Sequence, residues 1–195
     1  MEQPIVIIGS PRSGTSLTAA VFAAHGVWTG VDRAPDQHNP FGYYENLMLS
    51  TYRMSMGHDG GMDPNTVLRL MELDGYKGGP WLLKHTPVTW RAWSSFQPQW
   101  VLVFRDVEDI LQSRYRTWFW PNLTEVEHKV LIDTDHATMS SIKRHIGGTE
   151  IWPHEFCSGD DHSMKDAIEA SGLVYDAEKA RSCLHPEVWH SKVAV

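Results

Sequence analysis

Pro4-Ile5-Val6-Ile7-Ile8-Gly9-Ser10-Pro11-Arg12-Ser13-Gly14-Thr15-Ser16 is the stretch on which the fold turns. Residues 4–8 are a short continuous apolar run that Gly9 ends. Such a run reads as a strand buried on both faces, as in a parallel sheet. Residues 15–25 follow as a helix, with Leu17, Val21 and Ala24 on one face and Gly26 placed to stop it. Between strand and helix lies a turn with two glycines and the cation Arg12, and Ser13, Thr15 and Ser16 add hydroxyl donors there and at the helix start. A glycine-rich turn that opens a helix presents backbone N–H groups to an anion, and the helix dipole adds to the attraction.

Outward from this stretch, residues 46–57 and 65–74 read as helices. Residues 81–84 and 100–104 read as strands, with a helix over 107–118. Residues 122–146 read as mostly helical, in more than one piece, and 150–152 as a fourth strand. Ser163 and Asp166 have the spacing of a capping box, and Asp176 is placed to cap a helix over 177–184. Strands alternating with helices imply an α/β fold, a single domain over residues 1–195 with a mostly parallel central sheet flanked by helices. Such sheets bind ligands at the carboxyl ends of their strands.

The chain carries a formal net charge of −7, with 21% charged and 42% apolar residues. That is a globular composition, and the negative balance argues against a nucleic-acid or anionic-membrane partner. Cys157 and Cys183 have no metal-ligand or redox spacing and read as free thiols. No apolar run reaches the roughly 18 residues of a membrane helix, and Met1-Glu2-Gln3-Pro4 lacks a basic leader, so a cytoplasmic protein is expected. Most of the nine tryptophans should be core or half-buried packing, with one or two free to line a pocket.

The spacing of Gly9 to Ser16 approaches the Walker A pattern G-x-x-x-x-G-K-[ST], but Thr15 stands at the lysine position and the cation sits inside the loop as Arg12. That argues against an ordinary ATPase or GTPase. Pro11-Arg12-Ser13-Gly14-Thr15-Ser16 after an N-terminal strand resembles the 5′-phosphosulfate loop of the sulfotransferases that use 3′-phosphoadenosine 5′-phosphosulfate (PAPS). Val101-Leu102-Val103-Phe104-Arg105-Asp106 with Ser113 resembles the family's 3′-phosphate segment, in which an Arg at a strand end and a Ser eight residues later bind the nucleotide. Val107 stands where many members have proline. The resemblance covers residues 4 to about 118 and implies a P-loop NTPase-like fold, PAPS as cofactor and PAP as product.

Two further segments fit the same family. Asn39-Pro40-Phe41-Gly42-Tyr43-Tyr44-Glu45 resembles N-P-x-G-[YF]-x-E, where the glutamate takes the acceptor's proton. Lys84-His85-Thr86-Pro87 resembles K-x-T-P, with Lys84 aimed at the developing charge. The resemblance therefore implies Glu45, Lys84 and Arg12 as catalytic, with Pro11, Arg12, Ser13, Gly14, Thr15 and Ser16 on the phosphosulfate and Arg105 and Ser113 on the 3′-phosphate. It requires no metal. His38 and His85 are rival bases. The bland alternatives are ion pairs of Arg105 with Asp106 or Asp109 and of Lys84 with an acid, a helix-start role for Glu45, and solvated helix charges for Arg114 and Arg116. The acceptor is a small molecule, carbohydrate or peptide, met by loops 27–45, 55–64 and 118–125. The competing activities are a P-loop kinase of a nucleoside or small molecule and a non-catalytic PAP-binding module.

Overall fold

The computed structural model describes residues 2–36, 39, 42–56, 61–117 and 120–185. Its chain order is β1 (Ile5–Gly9), α1 (Thr15–Ala24), α2 (Leu47–Ser55), α3 (Pro64–Leu73), β2 (Leu82–His85), a 3₁₀ turn (Pro87–Thr89), α4 (Trp90–Ser94), β3 (Gln99–Val103), α5 (Val107–Arg116), α6 (Glu125–His145), β4 (Thr149–Ile151), α7 (Pro153–Cys157), α8 (His162–Ala170) and α9 (Ala177–Ser182). The four strands form one all-parallel sheet in the order β2-β1-β3-β4. The α/β architecture with a parallel sheet between helices is the one expected.

All five residues of β1 are buried, because helices cover both faces of the sheet. The two-residue period of the strands sorts their side chains. Val6, Ile8, Leu83 and Leu102 pack with Leu49 of α2, Val67 and Met71 of α3, Trp93 of α4 and Met139 of α6. Ile5, Ile7, Leu82, Val101 and Val103 pack with Phe22 of α1, Phe156 of α7, Ile168 of α8 and Ala180 of α9. Trp81, Trp93 and Trp100 are core residues and Trp28, Trp90 and Trp152 pack half-buried against the core, as most of the tryptophans were expected to.

Three local expectations need correction. Residues 122–146 contain one continuous helix rather than several pieces. It starts at a capping box that the sequence reading missed: Glu127 N–H donates to Thr124 Oγ1 at 3.3 Å, and Thr124 N–H donates to Glu127 Oε2 at 2.7 Å. The box expected at Ser163 and Asp166 does not form. The helix begins two residues earlier, after Asp161, without a side-chain cap, and Ser163 Oγ turns to Glu155 at 3.5 Å. The short helices α4 and α7 were not foreseen, since five residues are too few to display a helical period. Asp176 caps α9 as expected, accepting from the N–H groups of Glu178 and Lys179.

Gly9 is where β1 hands over to its loop. A Cβ there would lie 2.8 Å from the Val103 carbonyl oxygen and 2.7 Å from Thr15 Cγ2. Gly9→Ala should therefore lower stability by about 1–3 kcal/mol, the usual range for an overpacked core, read as a fall in the urea midpoint with an unchanged slope.

Candidate functional site

In a sheet ordered β2-β1-β3-β4, the chain leaves β1 toward β2 on one side and returns as β3 on the other. Ligand crevices in open parallel sheets form at such a reversal, outside the carboxyl ends. The register sets Gly9 beside Val103, so the loop after β1 and the residues after β3 are neighbours. The loop closes with Ser13 N–H donating to Ser10 O at 2.9 Å. Arg12 (φ 78°) and Gly14 (φ 103°) both adopt left-handed backbone. No side chain caps α1 at Gly14, and its first turn carries no acid. Ser13 is fully buried, and its hydroxyl has no hydrogen-bond partner among the described residues.

Arg105 follows β3 and is 4% exposed. One of its terminal nitrogens donates to the Arg12 carbonyl at 3.1 Å, and its Nε lies 3.8 Å from Asp109. Arg12 Nε donates to Ser113 Oγ at 3.1 Å. The side chains assigned to the two ends of a nucleotide thus meet in one cluster rather than in two separate pockets. Burial lowers the pKa of both arginines and Arg116 lowers it further, Arg12 adds to the effect at Arg105, and Tyr43 opposes it at Arg12 as Asp109 does at Arg105. Cations gathered and desolvated in this way are stabilised by an incoming anion.

A second group borders the loop on the β2 side. Lys84 is 7% exposed and donates to Glu45 Oε1 at 2.9 Å and to Ser16 Oγ at 3.3 Å. Burial lowers the Lys84 pKa, with Glu45 opposing. Asp32 sets the Glu45 backbone by accepting its N–H at 2.6 Å, and it also accepts from Tyr44 N–H. Tyr43 donates its hydroxyl to Asp36 at 2.7 Å, and its ring lies 5.9 Å from Lys84 Nζ. Burial and the Asp36 bond push the Tyr43 phenol up to about 12. His85 ends β2 with Nε2 buried and without a hydrogen-bond partner among the described residues, and burial lowers its pKa to about 4. His38 lies outside the described residues, as do parts of the three loops expected to meet the acceptor.

The sequence reading misplaced Arg114. It expected a solvated charge, but the residue is wholly buried, whereas Arg116 is exposed as expected. The signal was available, since Arg114 stands four residues after Ile110 and three after Leu111, both buried, on one helix face. Its donors reach Pro11 O at 3.3 Å and Ser10 Oγ at 2.9 Å, and Ser10 Oγ donates to Asp135 at 2.7 Å. The cleft of about 460 Å³ lined by Leu68, Tyr76 and Gly78 borders Glu2, at the amino end of the sheet, and shares no residue with this cluster. No protein-family model matches the chain, and no curated protein matches it significantly.

His85 gives the site a pH signature. Its imidazole is neutral in the fold, whereas the unfolded chain takes up a proton below about pH 6.5. The unfolded state then binds more protons, so stability falls as pH drops from there toward 4. Between about pH 7 and pH 5 the loss should be roughly 2 kcal/mol. Urea titrations across this range check it, and His85→Gln should flatten the slope.

Proposed function

We propose that this chain is a sulfotransferase that moves the sulfuryl group of PAPS to a hydroxyl or amine acceptor, on a P-loop NTPase-like variant of the parallel-sheet fold. The observation that carries the reading is the meeting, at the β1/β3 reversal, of an uncapped helix N-terminus, the orphaned Ser13 hydroxyl and the guanidinium groups of Arg12 and Arg105. Those donors suit a doubly anionic nucleotide. Gly9 adds the close backbone approach, and Thr15, buried where a Walker lysine would stand, removes the usual triphosphate contact.

In this reading the loop from Pro11 to Ser16 and Arg12 hold the 5′-phosphosulfate, and Arg105 and Ser113 hold the 3′-phosphate. PAPS, when bound, supplies the sulfuryl group and leaves as PAP. Glu45 takes the acceptor's proton on the oxygen that Lys84 does not hold. Lys84 lies between Glu45 and Ser16, in reach of the loop that Arg12 crowns. Together, Lys84 and Arg12 stabilise the charge that develops beside the loop. His85 is a weak base, because burial keeps its proton affinity low. The acceptor is a small molecule, carbohydrate or peptide, in a cytoplasmic setting. Among the described residues no helix is long and apolar enough to cross a membrane.

Calorimetry comparing PAP, ADP and ATP–Mg²⁺ tests the proposal. PAP should bind at least about tenfold tighter than ADP, and Arg105→Ala should weaken PAP by about 10–100-fold, the worth of a charged hydrogen bond. Preference for ATP–Mg²⁺ would make the chain a kinase. With an acceptor in hand, Glu45→Gln should cut turnover by about 10²-fold or more while PAP still binds. PAP binding with no turnover of any acceptor would leave a nucleotide-binding module.

A further inference from the structure

Arg114 is a fully buried cation whose hydrogen bonds lead to the loop and to α6, and whose guanidinium lies 5.3 Å from the Trp120 ring centroid. Its Nε donates to Pro11 O at 3.3 Å. One terminal nitrogen donates to Ser10 Oγ at 2.9 Å, and Ser10 passes the contact to Asp135 Oδ2 at 2.7 Å. The other lies 3.3 Å from His128 Nδ1. Arginine only donates, so that nitrogen accepts and the His128 proton sits on Nε2. His128 is itself buried, and burial together with Arg114 lowers its pKa, which keeps it in this neutral form. The balancing charge for Arg114 is Asp135 of α6, reached through one serine hydroxyl.

The placement of these donors is specific. Arg114 takes the carbonyl of Pro11, and Arg105 takes the carbonyl of Arg12, the next residue. Two guanidinium groups from one segment, residues 105–114, therefore hold two consecutive carbonyl oxygens of the loop. A carbonyl turned into an anion site would repel the anion, while one drawn to a cation outside leaves the N–H groups and hydroxyls to face it. The residue between these carbonyls, Arg12, has a φ of 78° although it is not glycine. Such a conformation persists where the surroundings over-determine it.

We infer that Arg114 is a positioning residue. With Ser10 and Asp135 it fixes the Pro11–Arg12 backbone, so that the anion-binding face of the loop is formed before any ligand arrives. α6 thereby becomes part of the loop's support. The inference rests on the reading of this loop as an anion site, and not on the identity of the transferred group.

The test uses the full chain. Arg114→Gln removes the charge and most of the donors, Asp135→Asn removes the balancing charge, and Met139→Ala opens the core on α6 without touching the loop. PAP affinity by calorimetry and amide exchange of the 10–16 segment without ligand are measured for each variant, at a temperature where it is folded. Arg114→Gln should weaken PAP at least about tenfold and speed exchange of the segment by a similar factor. Asp135→Asn should move both in the same direction by less. Met139→Ala should lower the melting temperature and leave both readings within about twofold. If Arg114→Gln changes neither reading, or changes them no more than Met139→Ala does, the inference is overturned. If Arg114→Gln does not fold, Ser10→Ala removes only the relay hydroxyl and is judged by the same two readings. A wild-type protein that binds no PAP sinks the proposed function, and the exchange measurement still decides the role of Arg114.

Discussion

The contact between Gly9 and Val103 governs the rest of this molecule. Parallel pairing in register brings the ends of β1 and β3 together, and the missing side chain at Gly9 lets the loop fold back over the end of β3. Because of that approach, Arg105 can reach the Arg12 carbonyl, Arg12 can reach Ser113, and α1 can begin with its uncapped end beside both. Arg12 is 93 residues from Arg105 and 101 from Ser113 in sequence. A larger residue at position 9 would push the loop away from α5 and separate donors that act only in concert.

The electrostatics follow from the same packing. The whole chain is acidic, yet it gathers Arg12, Lys84, Arg105 and Arg114 around one loop. Desolvation is the largest influence on each of the four, and each has a different compensation. Lys84 has a direct carboxylate at 2.9 Å. Arg114 has one through a serine. Arg105 has Asp109 at the loose distance of 3.8 Å. Arg12 has a neutral hydroxyl and, among the described residues, no ion pair. Among the described residues, Lys84 therefore carries a direct carboxylate partner, whereas Arg12 is met by a hydroxyl.

The strands and helices such as α1 and α5 were legible because burial on both faces writes continuous apolar runs, as in Ile5–Ile8, and because amphipathic helices write a period, whereas the long α6 was expected in pieces. Arg12, Arg105 and Ser113 were legible as a spacing, although the reading separated what the structure joins. Arg114 was misread because charge was weighed before periodicity. Its place beside Ile110 and Leu111 marked a buried position, and a buried arginine needs partners that only the tertiary fold supplies. Asp135 and Ser10 were invisible for the same reason, since 125 residues separate them. The Lys84–Glu45 contact shows the limit from the other side. The sequence placed each at an element end, but it could not say that the two would share a bond.

The strand order also gives the site a direction. Read across the sheet, β2 brings Lys84 with Glu45 beside it, β1 brings the loop, and β3 with α5 brings Arg105 and Ser113. On the proposed reading these are, in turn, the acceptor's proton and developing charge, the transferring group, and the far phosphate of the nucleotide. Ser16, on the first turn of α1, bonds Lys84, while Arg12, four residues earlier, bonds Ser113. The loop therefore touches both neighbours at once. A group bound on the loop would be held between a base on one side and a nucleotide anchor on the other, which is the alignment an in-line displacement needs. The same loop is braced from behind by Arg114, so the alignment depends on helices that never touch the reacting atoms.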